Sequence, residues 1–237
     1  MRFFQGNVSK EAGRIHRWRG RLWASRYKAS IVDSDEASQV ARLRYVLSQG
    51  VKEGLVWAAA DWPGVNSVRA LLDGEPLRGT WIDRTRQWAA RRRKGADSSD
   101  EAHGQQLELH LAPIPCWAHL PEHEWRSRVA DLVRSIEDEG RAKHAADGTR
   151  PLGPRRVRKV HPHYAPEKVA WSPQPRILAR SPQRRRLLWE ALSAVVAAYR
   201  DAADRLKQGN RSVRFPEGTF PPGLPYVPTV ADLLAGG

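Results

Sequence analysis

The stretch "SPQRRRLLWEALSAVVAAYRDAADRLKQGN", residues 181–210, does most to limit what this chain can fold into. Ser181 stands where a helix needs a capping hydroxyl, and Pro182 takes the first helical position, where its missing N–H costs nothing. Gly209 ends the run. Between these signals Trp189, Leu192, Val195, Val196 and Tyr199 recur at helical spacing and read as a core stripe. The segment that follows, "FPEGTFPPGLPYVP", carries too many prolines for a regular helix or a central strand, and reads as an extended strap.

Upstream the punctuation is weaker. Phe4, Val8, Ala12 and Ile15 fall at helical spacing, so a helix is expected to open the chain. Gly20 breaks it, and the alternation of Tyr27, Ala29 and Ile31 predicts a short strand. Asp33, with Glu36 three positions on, forms a capping-box pattern for a helix running to about Gln49 and stopped by Gly50. "DWPG" at 61–64 reads as a turn. Residues 74–106 are polar: the basic run "RTRQWAARRRKG" predicts a charged helix, and "ADSSDEAHG" a fade into linker. Leu107, Leu109 and Leu111 alternate over an expected strand, and Trp125, Val129, Leu132, Val133 and Ile136 mark one side of a further helix. A loop rich in proline and arginine spans about 148–180. The expected organisation is therefore 1–73, a basic linker at 74–106, and a mainly helical piece at 107–237, in an α+β class overall.

Charge narrows the function. Forty Lys+Arg against 26 Asp+Glu give a formal +14 and a pI near 10.7. A chain so basic suits a polyanion, since every neutralised phosphate releases counterions. The arginines do not gather opposite an apolar stripe, which disfavours a membrane surface. No apolar run reaches the roughly 20 residues that span a bilayer, and "MRFFQGNVSKEAGR" lacks the h-region of a signal peptide. One cysteine, Cys116, excludes an internal disulfide and reads as a small buried hydrophobe in a cytoplasmic chain.

The helix "ARLRYVLSQGVKEGLV" poses a sharper question. At about 100° per residue, Val40, Leu43 and Leu47 share one narrow stripe, while Tyr45 lies well round the cylinder with Arg42 and Gln49 as neighbours. A bland reading is a tyrosine crossing the core edge with its hydroxyl in water. However, "GRLWASRYKASIV", the acidic cap, this helix and "DWPG", in that order, resemble the C-terminal half of the single-tyrosine HUH transposases. The most similar are the REP-associated tyrosine transposases and their insertion-sequence relatives. In that family the helix reads Y-[IV]-x-x-N-P-x-[KR]-x-G-L-V, followed by D-W-P. Tyr45, Val46, Lys52, Gly54, Leu55, Val56, Asp61, Trp62 and Pro63 match, and Gln49 and Gly50 replace Asn-Pro.

The resemblance, which covers about the first third of the chain, implies a ferredoxin-like catalytic domain of which this is the distal part. It implies that Tyr45 attacks a DNA phosphodiester to give a 5′-phosphotyrosine. It also implies that Gln49 is the third ligand of a divalent metal, Mg²⁺ or Mn²⁺, held otherwise by the two histidines of an H-hydrophobic-H strand. That strand precedes these elements in the family, so the chain is expected to be truncated and inactive alone. "HPH" at 161–163, His119 with His123, and Glu108 with His110 are weak substitutes, and solvated loop histidines are their simpler reading. The functional expectation is a transposase-like binder of single-stranded or hairpin DNA, active in transposition and recombination only with a full partner, as homodimer or heterodimer. Its expected phosphate contacts are Arg21, Arg26, Arg42, Arg91, Arg92, Arg93, Arg184 and Arg185. The alternative is a non-enzymatic DNA-binding or interaction protein that keeps the tyrosine helix as a relic, and an RNA-associated basic protein is a third reading.

Overall fold

Asp35 starts the helix whose Leu47 and Val51 enter the main hydrophobic core. Its carboxylate accepts from the Ser38 N–H at 2.8 Å, so it is Asp35, and not Asp33, that caps this element. Asp33 is buried two residues earlier, where its carboxylate accepts from the Ser34 N–H. Glu36 does not complete a capping box. It reaches across to accept from the Trp117 indole at 2.8 Å and the Arg128 guanidinium at 2.9 Å.

The computed structural model describes residues 2–18, 20, 22–23, 29–161, 164 and 175–222. In chain order these form α1 (Arg2–His16), the short β1 (Ile31–Val32), α2 (Glu36–Lys52), a 3₁₀ turn (Ala59–Asp61) and α3 (Val68–Asp73). Then come β2 (Leu77–Ile82), α4 (Arg84–Arg91), β3 (Gly104–Leu109) and a second 3₁₀ turn (Pro115–Trp117). The long α5 (Glu122–Ala146), the single-turn α6 (Pro154–Val157), β4 (Ile177–Leu178) and α7 (Pro182–Lys207) complete it. The chain is thus mixed α+β with helix dominant. Among the described residues no helix is long and apolar enough to cross a membrane. Packing divides it into two compact units, Met1–Gln174 and Pro175–Gly237.

The first unit is organised by α2, α3 and α5. Leu47 and Val51 of α2, Val68 and Leu71 of α3, and Trp125, Val129, Val133 and Ile136 of α5 form one buried cluster with Val56, Ala59 and Trp117. The core therefore runs straight through the boundary expected at 73–106. Composition marked a polar stretch there, but the burial that defines a unit joins residues on either side of it.

Three local devices let these helices meet. Gly140 of α5 faces Val51 so closely that an added Cβ would collide with the valine Cγ1. Glu137 of α5 accepts from the Ala59 N–H at 3.0 Å, capping the first 3₁₀ turn. Arg126 donates to the carbonyls of Ala70 and Leu71, which α3 leaves unpaired at its C-terminus. Gly74 makes this approach possible in its left-handed conformation (φ 79°), because a Cβ there would collide with the guanidinium.

Two further expectations are corrected. Gly50 does not stop α2, which runs on to Lys52 and is ended by Gly54 at φ 66°. Gly50 is instead a point of close approach, where a Cβ would meet Val56 at 3.0 Å and the Trp62 ring at 3.5 Å. The stretch 74–106 is not linker. β2 and β3 pair antiparallel, from Leu77 opposite Leu109 to Ile82 opposite Gly104, with α4 between them. The ribbon was hard to read because neither strand buries a face: Trp81, Leu107 and Leu109 all remain exposed. Gln87 anchors α4 beneath it, buried and bonded to the Ser98 carbonyl, Asp100 and Arg84.

In the second unit α7 begins and ends as its sequence predicts. The Ser181 hydroxyl accepts from the Arg184 N–H, Pro182 is the first helical residue, and Gly209 follows the last turn at φ 97°. Its expected core stripe is not a core. Trp189, Val195 and Val196 are exposed, Leu192 and Tyr199 half-buried, and the residues α7 buries are Ala202 and Ala203. The Tyr199 hydroxyl donates to the Phe220 carbonyl, and its ring meets Phe215 edge-on at 5.4 Å. Part of the predicted strap thus lies along the helix; residues 223–228 of it fall outside those described.

Candidate functional site

Because α2 turns Val40, Leu43 and Leu47 toward the core, Tyr45 must face outward, and it does so 47% exposed. The Arg42 guanidinium lies over its ring at 4.5 Å from the centroid, and the Lys52 ammonium stands 5.7 Å away. Both are cation–π contacts within the roughly 6 Å reach of the interaction. The phenol therefore sits in a positive surround with its hydroxyl open to solvent. Gln49, one turn on, donates from Nε2 to the Tyr45 carbonyl at 2.7 Å. This bond uses one amide N–H and leaves the amide oxygen free to accept from another group.

Beside this face, α2 and the loop leading into α3 enclose a cleft of about 410 Å³. Gln49 and Glu53 line it from the helix, Trp62, Val65 and Ser67 from the loop. The loop is braced by Asn66, whose side chain donates to the Ala59 carbonyl and accepts from the Val68 N–H, both at 2.8 Å. The Trp62 indole fits because position 64 carries no side chain: a Cβ there would lie 2.8 Å from the indole nitrogen. The cleft has no signature in the sequence, since its loop wall is held by bonds from Asn66 to Ala59 and Val68 that no local pattern reports.

A second basic surface lies at the end of α4. Arg92 stacks on Trp88 at 4.2 Å, and this indole is 57% exposed. Arg91, Arg92, Arg93 and Lys94 are all exposed, and among the described residues none has a carboxylate partner. Not all of the basic run is so placed. Arg84 is held by Glu11 of α1 at 2.8 Å and by Asp100 at 2.7 Å, and Arg86 pairs with Asp83. The hydrogen bond from Arg84 holds the Glu11 carboxyl below the usual carboxylate range, with a smaller push from Arg14. Arg84 is thus committed to docking α1, and the cations left for a ligand are those from Arg91 onward.

The other site residues are placed as follows. Arg21 and Arg26 lie outside the described residues. Arg184 and Arg185 are exposed in the first turn of α7, followed by Arg186, which pairs with Glu190 at 2.9 Å. His119 and His123 are exposed at the start of α5, where Pro121 is the capping position. Glu108 is taken by Arg78 at 2.8 Å, next to an exposed His110. His161 is exposed, and Pro162 and His163 lie outside the described residues. Cys116 is half-buried against the core, and burial pushes its thiol above the ordinary range.

The donor set does not fit the metal that the resemblance implies. Gln49 offers one neutral oxygen, and among the described residues no group of three or more His, Cys, Asp or Glu could hold a metal ion. Among known proteins, no family model, curated sequence or solved structure matches this chain.

Proposed function

We propose that this chain is a transposase-like DNA-binding protein that takes single-stranded or hairpin DNA, with the exposed face of α2 against the phosphate backbone. The observation that carries the reading is Tyr45: an aromatic on the outer face of a packed helix, with Arg42 over its ring and Lys52 beside it. Such a phenol sits where an incoming phosphate finds two cations and one hydroxyl. The Trp88–Arg92 stack adds a platform of the kind on which unpaired bases lie, next to three further cations. In lineage terms the first unit is read as descending from the distal half of a ferredoxin-like tyrosine transposase domain, and the chain alone as not cleaving DNA.

A gel shift with hairpin and single-stranded oligonucleotides tests the binding. The expected result is a complex whose affinity falls steeply with salt. Absence of any complex at low salt would end the proposal. A second reading, a binding module in which the tyrosine helix is a relic, is favoured by the engagement of the Gln49 amide with its own helix. A suicide oligonucleotide assay against wild type, Tyr45→Phe and an intact transposase of the family separates the two. An adduct that needs Tyr45 and the added partner supports the lineage reading, and its absence in every mixture supports the relic.

A further inference from the structure

The cleft beside Tyr45 is better suited to a base than to a phosphate, and we infer that it is a pocket for one unpaired guanine of the bound strand. The inference rests on the DNA-binding reading above and names what that surface selects.

Three features of the cleft lead there. Its volume, about 410 Å³, lies within the roughly 300–1,000 Å³ of small-ligand sites. Its walls are apolar and partly aromatic. Trp62 supplies a ring for stacking, and Val46 and Val65 stand at 52% and 94% exposure with no packing role to explain them. No lysine or arginine lines it, whereas Glu53 does. A phosphate would meet a carboxylate with no neutralising cation, and is better placed outside, at Arg42 and Lys52.

The polar groups then choose among the bases. Among the described residues the Glu53 carboxylate has no partner. The Gln49 amide gives one N–H to the Tyr45 carbonyl and keeps its oxygen free to accept. The Ser67 hydroxyl makes no capping bond to α3. The cleft is thus rich in acceptors and selects an edge rich in donors. Guanine presents N1–H and N2–H₂ side by side, a match for two carboxylate oxygens. Thymine presents a single donor between two acceptors, which the same carboxylate repels. The loop wall is set before binding, because both ends of the Asn66 amide are bonded inward and Trp62 is seated against Gly50 and Gly64.

The test uses the full chain and two kinds of probe. In ligand-observed NMR, guanosine is expected to bind at least about tenfold more tightly than thymidine, and Glu53→Gln to remove the difference. Val65→Asp, at a residue 94% exposed, should weaken guanosine without changing the melting temperature. By anisotropy, a dT 12-mer carrying one dG should outcompete dT alone by a similar factor, again only when Glu53 is present. Equal binding of the two nucleosides, no guanosine binding, or a preference that survives Glu53→Gln would overturn the pocket. So would displacement of guanosine by spermidine at equal concentration, which would make the carboxylate and indole a cation site. Strand binding without guanosine preference removes the pocket and keeps the DNA reading. Guanosine binding without strand binding does the reverse.

Discussion

Helices α5 and α7 are nearly the same length, 25 and 26 residues, and each carries an apolar series at helical spacing, yet one is a core and the other a surface. α5 buries Trp125, Val129, Val133 and Ile136 against α2 and α3. α7 leaves Trp189, Val195 and Val196 exposed and buries two alanines. The difference does not lie in periodicity. It lies in what each helix is offered. α5 gives up a side chain at Gly140 so that Val51 of α2 can approach, and it lends Arg126, Arg128 and Glu137 to the ends and loops of its neighbours. α7 contains no glycine, and Tyr199 lends its hydroxyl to the Phe220 carbonyl of the strap and not to the end of another helix. A stripe shows that a helix can be buried, and polar groups reaching across to cap other elements show that it is.

The comparison breaks most visibly at the two tryptophans. Trp125→Ala should cost about 3–5 kcal/mol in denaturant unfolding, as large aromatic truncations in cores do, while Trp189→Ala should stay within roughly 0.5 kcal/mol. Equal losses would mean that α7 is held as firmly as α5. Next in size is Gly140→Ala. Overpacking against Val51 should destabilise by about 1–3 kcal/mol, despite the better helix propensity of alanine. A stabilised variant would show that α2 and α5 have room to separate. Charge gives a smaller effect. Replacing Arg91, Arg92 and Arg93 by alanine should leave unfolding unchanged and flatten the slope of log affinity against log salt for single-stranded DNA by up to about two. The same change at Arg185 alone should alter it by less than one.

The smallest effect concerns pH. Glu11 has its carboxyl held down by Arg84, so the contact that docks α1 contributes stability above the ordinary carboxylate range and loses it as pH falls through the lowered folded value. Because both partners are partly exposed, the change in global unfolding should be slight. The protection of α1 amides, corrected for intrinsic exchange and followed from neutral pH into that acidic window, should fall first, and Glu11→Gln should show the lower protection already at neutral pH. Unchanged protection in the variant would remove this pair from the docking of α1.

Where the sequence reading succeeded, the physics was local. The caps of α7, the stripe of α5 and the outward turn of Tyr45 each depend on neighbours within a few positions. The reading failed where a residue answers to a distant one. Gly50 looked like a stop because glycine often is, but its reason is Trp62 and Val56. Asp33 lost the cap to Asp35, which is equally acidic and better placed by two residues. Trp88 was passed over although Arg92 was singled out, and their separation by four on a helix was signal enough. The cleft had no such trace, since it is made by a braced loop standing beside a helix.

The side chain absent at position 64 also sets the order in which this sequence can change. Among the neighbours that a methyl group on Gly64 would meet, all three atoms belong to Trp62. While the indole is in place, Gly64→Ala is closed to the chain. Once Trp62 is exchanged for leucine, that obstacle goes, and the same substitution gains by stiffening the unfolded loop. Position 64 therefore has no fixed tolerance of its own. Its permissiveness is a property of position 62, and a mutational scan made one residue at a time would record as intolerance what is a dependence between two sites.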